Sequence, residues 1–120
     1  FLKLVATDID NKAAIAHLQN LIAVNFDELK ALKGDYYHYA DGCQFTPHDH
    51  LYANDIDLFG RASIYQYINR TASDMGSGRL AAWLLQPAVE SEIIQRQQAT
   101  KELADNMPWC QALQAGMLNR

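Results

Sequence analysis

Two cysteines in 120 residues, Cys43 and Cys110, are too few and too far apart in sequence to frame a disulfide scaffold. Free thiols, and so a cytoplasmic chain, are the expectation. No apolar run approaches the roughly 20 residues that a membrane span needs, and no basic-then-apolar segment leads the chain. A membrane anchor upstream of Phe1 stays open. Basic runs are missing as well. Residues 1–60 carry four lysines against nine acidic residues, a net −5. Residues 61–120 carry six basic against five acidic residues, a net +1. Duplex DNA binding draws most of its affinity from Lys and Arg that neutralise phosphates, so strong nucleic-acid binding by this chain alone is not expected. There is no internal repeat, low-complexity tract or linker, which argues for one domain. An initiator methionine is also lacking, and residues 111–120, "QALQAGMLNR", still read as helix. An excised piece of a longer parent is therefore expected.

What is present suits a packed, mainly α chain: 49% hydrophobic and 20% charged residues. Ile15, Leu18, Ile22, Phe26, Leu29 and Leu32 recur at three- and four-residue spacing, which predicts a helix over Asn11–Lys33 with one buried stripe. Asp10 is the expected N-cap and Gly34 the left-handed residue after the end. The period then changes. In "YYHYADGCQF" the pair Asp41-Gly42 lies between short aromatic-rich runs, a hairpin signal. "LYANDIDLF" reads as a further extended piece with Ile56 and Leu58 on one face. Helices follow over about Ala62–Arg70 (Ile64, Tyr67 and Ile68 inward), Asp74–Gln86 (Leu80, Trp83 and Leu84 inward), Glu90–Ala104, and Pro108 to at least Ala115. Pro87 stops the second of these and Pro108 opens the last. The predicted organisation is a helical segment over 1–34, a small β-hairpin or strand element over 35–59 and a helical segment over 60–120.

Several clusters invite chemistry. Gly76-Ser77-Gly78 opens a helix and Arg79 follows, as in loops that cradle phosphates. A P-loop, however, needs G-x-x-x-x-G-K-[ST] after a strand, and a dinucleotide fingerprint needs a third glycine. Neither is here. A helix capped by Ser73 or Asp74, with small residues at a close crossing, is the simpler account. "HDH" at His48–His50, with Asp55 and Asp57 nearby, offers zinc-type donors. His48 and His50 would point to opposite sides of a strand, and no third histidine or cysteine sits at ligand spacing, so an exposed polar turn is favoured. Asp55 and Asp57 would share the solvated side, or one would pair with Arg70 or Arg96. Those arginines border apolar regions, where a guanidinium can satisfy helix-end carbonyls or a carboxylate.

Residues 55–103 carry a more specific pattern. Asn69-Arg70-Thr71, Met75-Gly76-Ser77, Arg79-Leu80, Trp83-Leu84, Pro87, Ile94, Arg96, Gln97, Ala99 and Leu103 follow one another in the order and spacing of the core (lever) domain of MutS-family DNA mismatch-repair ATPases. The chain resembles that family over roughly its last half, with Gly78 as an inserted or shifted residue. "DLFG" is more similar to the MutS-related ATPases that lack the mismatch-reading domain.

The resemblance implies a mainly α, helical core-domain bundle without catalytic, cofactor-binding or metal-binding residues of its own. ATP and magnesium would be bound by a separate domain of the parent. The partners implied are other domains of the same parent chain, itself a DNA-binding homodimer. Arg70, Gly76, Arg79, Trp83, Pro87 and Arg96 are then expected to fix helix crossings. Phe26-Asp27-Glu28 imitates the family's Phe-x-Glu mismatch reader, but Phe26 falls on the stripe expected to be buried, and a wedge must be exposed. Two other readings stand beside this one: a helical protein–protein adaptor, and a small metal-dependent enzyme built on His48, His50, Asp55 and Asp57.

Overall fold

A computed structural model describes residues 1–118. It opens on one uninterrupted helix, α1, over Leu2–Leu32, about 46 Å long at 1.5 Å per residue. The expected start at Asn11 is corrected. Residues 2–9 contain no Gly or Pro to break the pattern, so the helix runs through Asp10, which caps nothing. The other end is as read. Gly34 takes φ +86°, the Gly34 amide donates to Ala31 O (3.0 Å) and the Asp35 amide donates to Lys30 O (3.1 Å). These are the paired bonds of a Schellman ending.

The β element is not seen, and no strand occurs among the described residues. Residues 35–63 form successive turns around a short 3-10 turn, Cys43–Phe45. The reason lies in where the carbonyls go. Gln66 Nε2 donates to Tyr37 O (3.2 Å) and Tyr39 O (2.8 Å), and Asn69 Nδ2 donates to Ala40 O (3.1 Å). Side chains thus take the acceptors that a ladder would need. Asp41 Oδ1 accepts from the Cys43 amide (3.0 Å), an Asx turn in place of a hairpin. Nor do Ile56 and Leu58 share a face: Leu58 is buried and Ile56 exposed, because Asp57 between them has φ +49°.

Four helices follow: α2 (Ile64–Ile68), α3 (Asp74–Leu85), α4 (Glu90–Ala104) and α5 (Met107–Met117). Ser63 Oγ caps α2 and Ser73 Oγ caps α3, the latter accepting from the Gly76 amide at 3.1 Å. Gln86, before Pro87, is extended as pre-proline sterics demand, and α3 stops there. Pro108 sits in the first turn of α5. The helical reading of Asn119 and Arg120 lies outside the described residues. No helix of the described residues is long and apolar enough to cross a membrane.

Packing is concentrated in two places. Around Tyr65, the rings of Phe45 and Phe59 (centroids 5.9 and 5.5 Å away) close over buried Leu58 and Ala53. Between α1 and α5, Val24 and Ala115 are buried while Asn20 Nδ2 donates to Ala115 O (3.1 Å) and Gln111 Nε2 donates to Asn25 Oδ1 (2.9 Å). Two expectations fail here. α1 packs through Ala16, Asn20, Leu21, Val24, Glu28 and Ala31, the small and polar side, leaving the apolar stripe exposed. In five-residue α2, Tyr65 and Gln66 are inward, whereas Ile64, Tyr67 and Ile68 are exposed.

Candidate functional site

The residues from Asn69 to Ser77 form the elbow between α2 and α3. Asn69 is almost fully buried, and its Oδ1 accepts from the Thr71 amide (3.0 Å) and from Thr71 Oγ1 (2.6 Å). Thr71 Oγ1 also lies 2.8 Å from Ser77 Oγ, whose single proton is shared between Thr71 Oγ1 and Ser73 O (3.0 Å). The bend is therefore closed by a chain of hydroxyl and amide bonds rather than by apolar contact. Polar networks satisfied throughout in this way hold one geometry firmly. Gly76 belongs to it: a Cβ there would meet Ser73 Oγ at 3.1 Å and Thr71 Cβ at 3.5 Å. Gly78 has open space and does not serve a close crossing. Gly76 to Gly78 lie in the first turns of α3 rather than ahead of it.

Arg70 ties this elbow to the far end of α1. Its Nε and Nη2 both face the Glu28 carboxylate, Nη2 at 3.5 Å from Oε2, while Nη1 donates to Tyr67 O (2.9 Å) and Asn69 O (3.0 Å). The guanidinium also lies over the Tyr39 ring, 3.9 Å from its centroid, and Tyr39 OH donates to Glu28 Oε1 (3.3 Å). One cation thus binds a carboxylate, two helix-end carbonyls and an aromatic face, the planar recognition lysine cannot reproduce. Asp55 and Asp57, considered as its partners, are exposed on the loop instead.

Tyr39 reports on the latch. Burial pushes its phenol up to about 12, with the charge and hydrogen bond of Glu28 adding and Arg70 opposing. The folded phenol holds its proton more tightly than the unfolded one. Its contribution to stability is complete below pH 10 and is lost as pH rises from about 10 towards about 12. Ultraviolet titration should show a component above pH 10 that Tyr39→Phe removes. A high-pH titration curve that Tyr39→Phe leaves unchanged would contradict the latch.

The other marked residues do different things. Arg96 stacks over Trp83, 4.2 Å from the ring centroid, and pairs with Glu92 one turn back at 3.6 Å. Trp83 is 48% exposed and not inward as expected, because its ring lies beneath the arginine at the surface. Trp83→Ala should therefore destabilise by about 1 kcal/mol, the scale of a surface cation–π contact with partial burial. The larger loss typical of buried indoles, about 3 kcal/mol or more, would refute this placement in a urea melt. Arg79 is exposed, and exposed Pro87 marks the end of α3.

The histidine cluster does not assemble. His48 is exposed, whereas His50 caps α3 by placing Nε2 2.8 Å from Leu85 O and accepting at Nδ1 from the Tyr52 and Ala53 amides (both 3.3 Å). Among the described residues no group of three or more His, Cys, Asp or Glu could hold a metal ion. Cys43 and Cys110 are free thiols, and the hydrogen bond and charge of Asp41 hold the Cys43 thiol above its ordinary value, which disfavours the thiolate.

The elbow was half legible. Arg70, Gly76 and Ser77 stood out in the sequence; Glu28, Tyr39 and Asn69 were not assigned to it. Only the alternation of "NRT" with a later serine hinted at the network, and Glu28 lies 42 residues away from Arg70. Phe26, two residues earlier, is 62% exposed, so burial cannot be the ground for setting aside Phe26-Asp27-Glu28 as a wedge. The engagement of Glu28 by Arg70 now argues against it, since the acid such a motif needs is occupied. No family model, no curated protein and no solved structure matches this chain.

Proposed function

We propose that this chain is the noncatalytic core, or lever, domain of a MutS-like ATPase. It transmits ATP-driven rearrangement between an ATPase domain and DNA- or partner-binding parts of a longer parent. One observation supports the reading above the others. Asn69, Arg70, Thr71 and Ser77, which carry the resemblance, are the residues that lock the α2–α3 bend and tie it to α1. Glu28, the point of attachment, lies 26 residues from the first residue of α1. At 1.5 Å per residue that is an arm of about 39 Å, so a turn of about 5° at the joint displaces the tip by about 3 Å. Rigid elements with a defined joint are what mechanical coupling requires.

The test uses the parent polypeptide. Reading its sequence beyond Arg120 should disclose a Walker A motif. In that parent Arg70→Ala should leave ATP affinity unchanged while weakening the nucleotide-dependent change in DNA affinity by at least about 5-fold, the lower range of allosteric coupling. Absence of the motif, or tight saturable ATP binding by the 120-residue chain alone, overturns the reading. A helical adaptor is the second reading, favoured by the exposure of Ile94, Leu103, Trp109 and Leu113 on α4 and α5. Finding no Walker A sequence would leave the adaptor standing.

A further inference from the structure

The stripe Ile15, Leu18, Ile22, Phe26, Leu29 and Leu32 lies on the side of α1 opposite the face that packs on α5, and these six side chains are 55–82% exposed. Nothing among the described residues covers it. Ile15, Leu18, Ile22, Leu29 and Leu32 keep the alternating 3-4 spacing of a coiled-coil seam, with Ile15, Ile22 and Leu29 at a positions and Leu18 and Leu32 at d positions, while Phe26 flanks it. Asn25 takes the remaining d position and is turned towards Gln111.

We propose that the outer face of α1 is a self-association surface, on which a second copy of this chain packs antiparallel. Area and charge both favour that occupant. Six side chains exposed to this degree offer roughly 700 Å² per copy, close to the roughly 800 Å² per partner of a standard interface. The charges then set direction. Lys30 and Lys33 lie at one end of the stripe and Asp8 at the other, where Lys12 Nζ is 2.9 Å from Asp8 Oδ2. A parallel pair would bring the lysines of both copies together. An antiparallel pair with Leu18 opposite the partner's Ile22 separates them and sets Lys33 at the level of the partner's Asp8. The pairing is isologous, each residue meeting its counterpart through a two-fold axis beside Leu18 and Ile22. It does not depend on the lever reading: the resemblance covers residues 55–103, and the seam lies outside them.

Sedimentation equilibrium of the 120-residue chain tests the surface, and thiol crosslinking tests the direction. A reversible dimer is expected at concentrations up to about 100 μM, and Ile22→Lys should raise its dissociation constant by at least about 100-fold. Circular dichroism of Ile22→Lys should keep its helix content, since the site is exposed in the protomer. Ile94→Lys, on another apolar face, should leave the dimer intact. With Cys43→Ser and Cys110→Ser as background, a bis-maleimide of about 8 Å reach should crosslink Leu18→Cys but not Leu29→Cys, whose copies stand about 27 Å apart along the axis. A monomer throughout, or a dimer indifferent to Ile22→Lys, overturns the proposal. Equal crosslinking at both positions overturns the antiparallel arrangement.

Discussion

Tyr65→Ala is expected to destabilise the chain by about 3–5 kcal/mol, the range for emptying a site filled by a large aromatic ring. Tyr65 is 1% exposed, the largest of the fully buried side chains, and the aromatic core of residues 42–65 is assembled around it. Phe45 and Phe59 contact it in tilted geometry, and Gly42 lies against its ring. Its hydroxyl crosses to the elbow and donates to Ser77 O at 3.2 Å. Emptying the site would leave a void that the surrounding turns can close only by giving up the placement of the 35–63 segment. Tyr65→Phe separates the two roles. It keeps the ring and loses one hydrogen bond, for about 1 kcal/mol. Equilibrium urea unfolding measures both, and a Tyr65→Ala loss below about 1 kcal/mol would show that the ring is not the centre of this core. The slope of the unfolding curve carries a second reading: if the segment detaches before global unfolding, the alanine variant will lose two-state behaviour.

The parts legible in the sequence are those governed by local chemistry. Ser73, Pro87, Pro108 and Gly34 mark helix ends through bonds made within a few residues, and each is found where it was read. Face and pairing were not legible, because both depend on distant residues. The stripe of α1 shows correctly which residues are apolar, but spacing says nothing about what covers them. Helix α5 presents Gln111 and Ala115, and these fit the small, amide-bearing side of α1. The hairpin signal of Asp41-Gly42 failed for a related reason. A type I′ turn needs flanking strands with free carbonyls, and Gln66 and Asn69, more than 20 residues on, take those of Tyr37, Tyr39 and Ala40. A buried Gln in a five-residue helix leaves no periodic trace. At the elbow Arg70 was conspicuous as a charge beside apolar residues, while its carboxylate waited on another helix.

Gly42→Ala should cost about 3 kcal/mol, from two causes that can be separated. The backbone there has φ +70°, and moving an alanine into the left-handed region costs about 1–2 kcal/mol. The remainder comes from contact. A Cβ at this position would lie 2.6 Å from Tyr65 Cδ1 and 2.8 Å from Cε1, well inside van der Waals range. The ring cannot swing away, since Phe45 and Phe59 hold it and its hydroxyl is bonded across to α3. Overpacking of this kind costs about 1–3 kcal/mol. The aspartate before Gly42 and the 3-10 turn after it depend on the same backbone geometry, so relief by rotation of the turn would break the Asp41–Cys43 bond. A double-mutant cycle divides the terms. In the Tyr65→Ala background the clash is gone and only the dihedral cost remains, so the two substitutions together should fall short of additivity by about 1–3 kcal/mol. Full additivity would place the whole penalty in the backbone and remove the close approach of Gly42 and Tyr65 as a determinant of this loop.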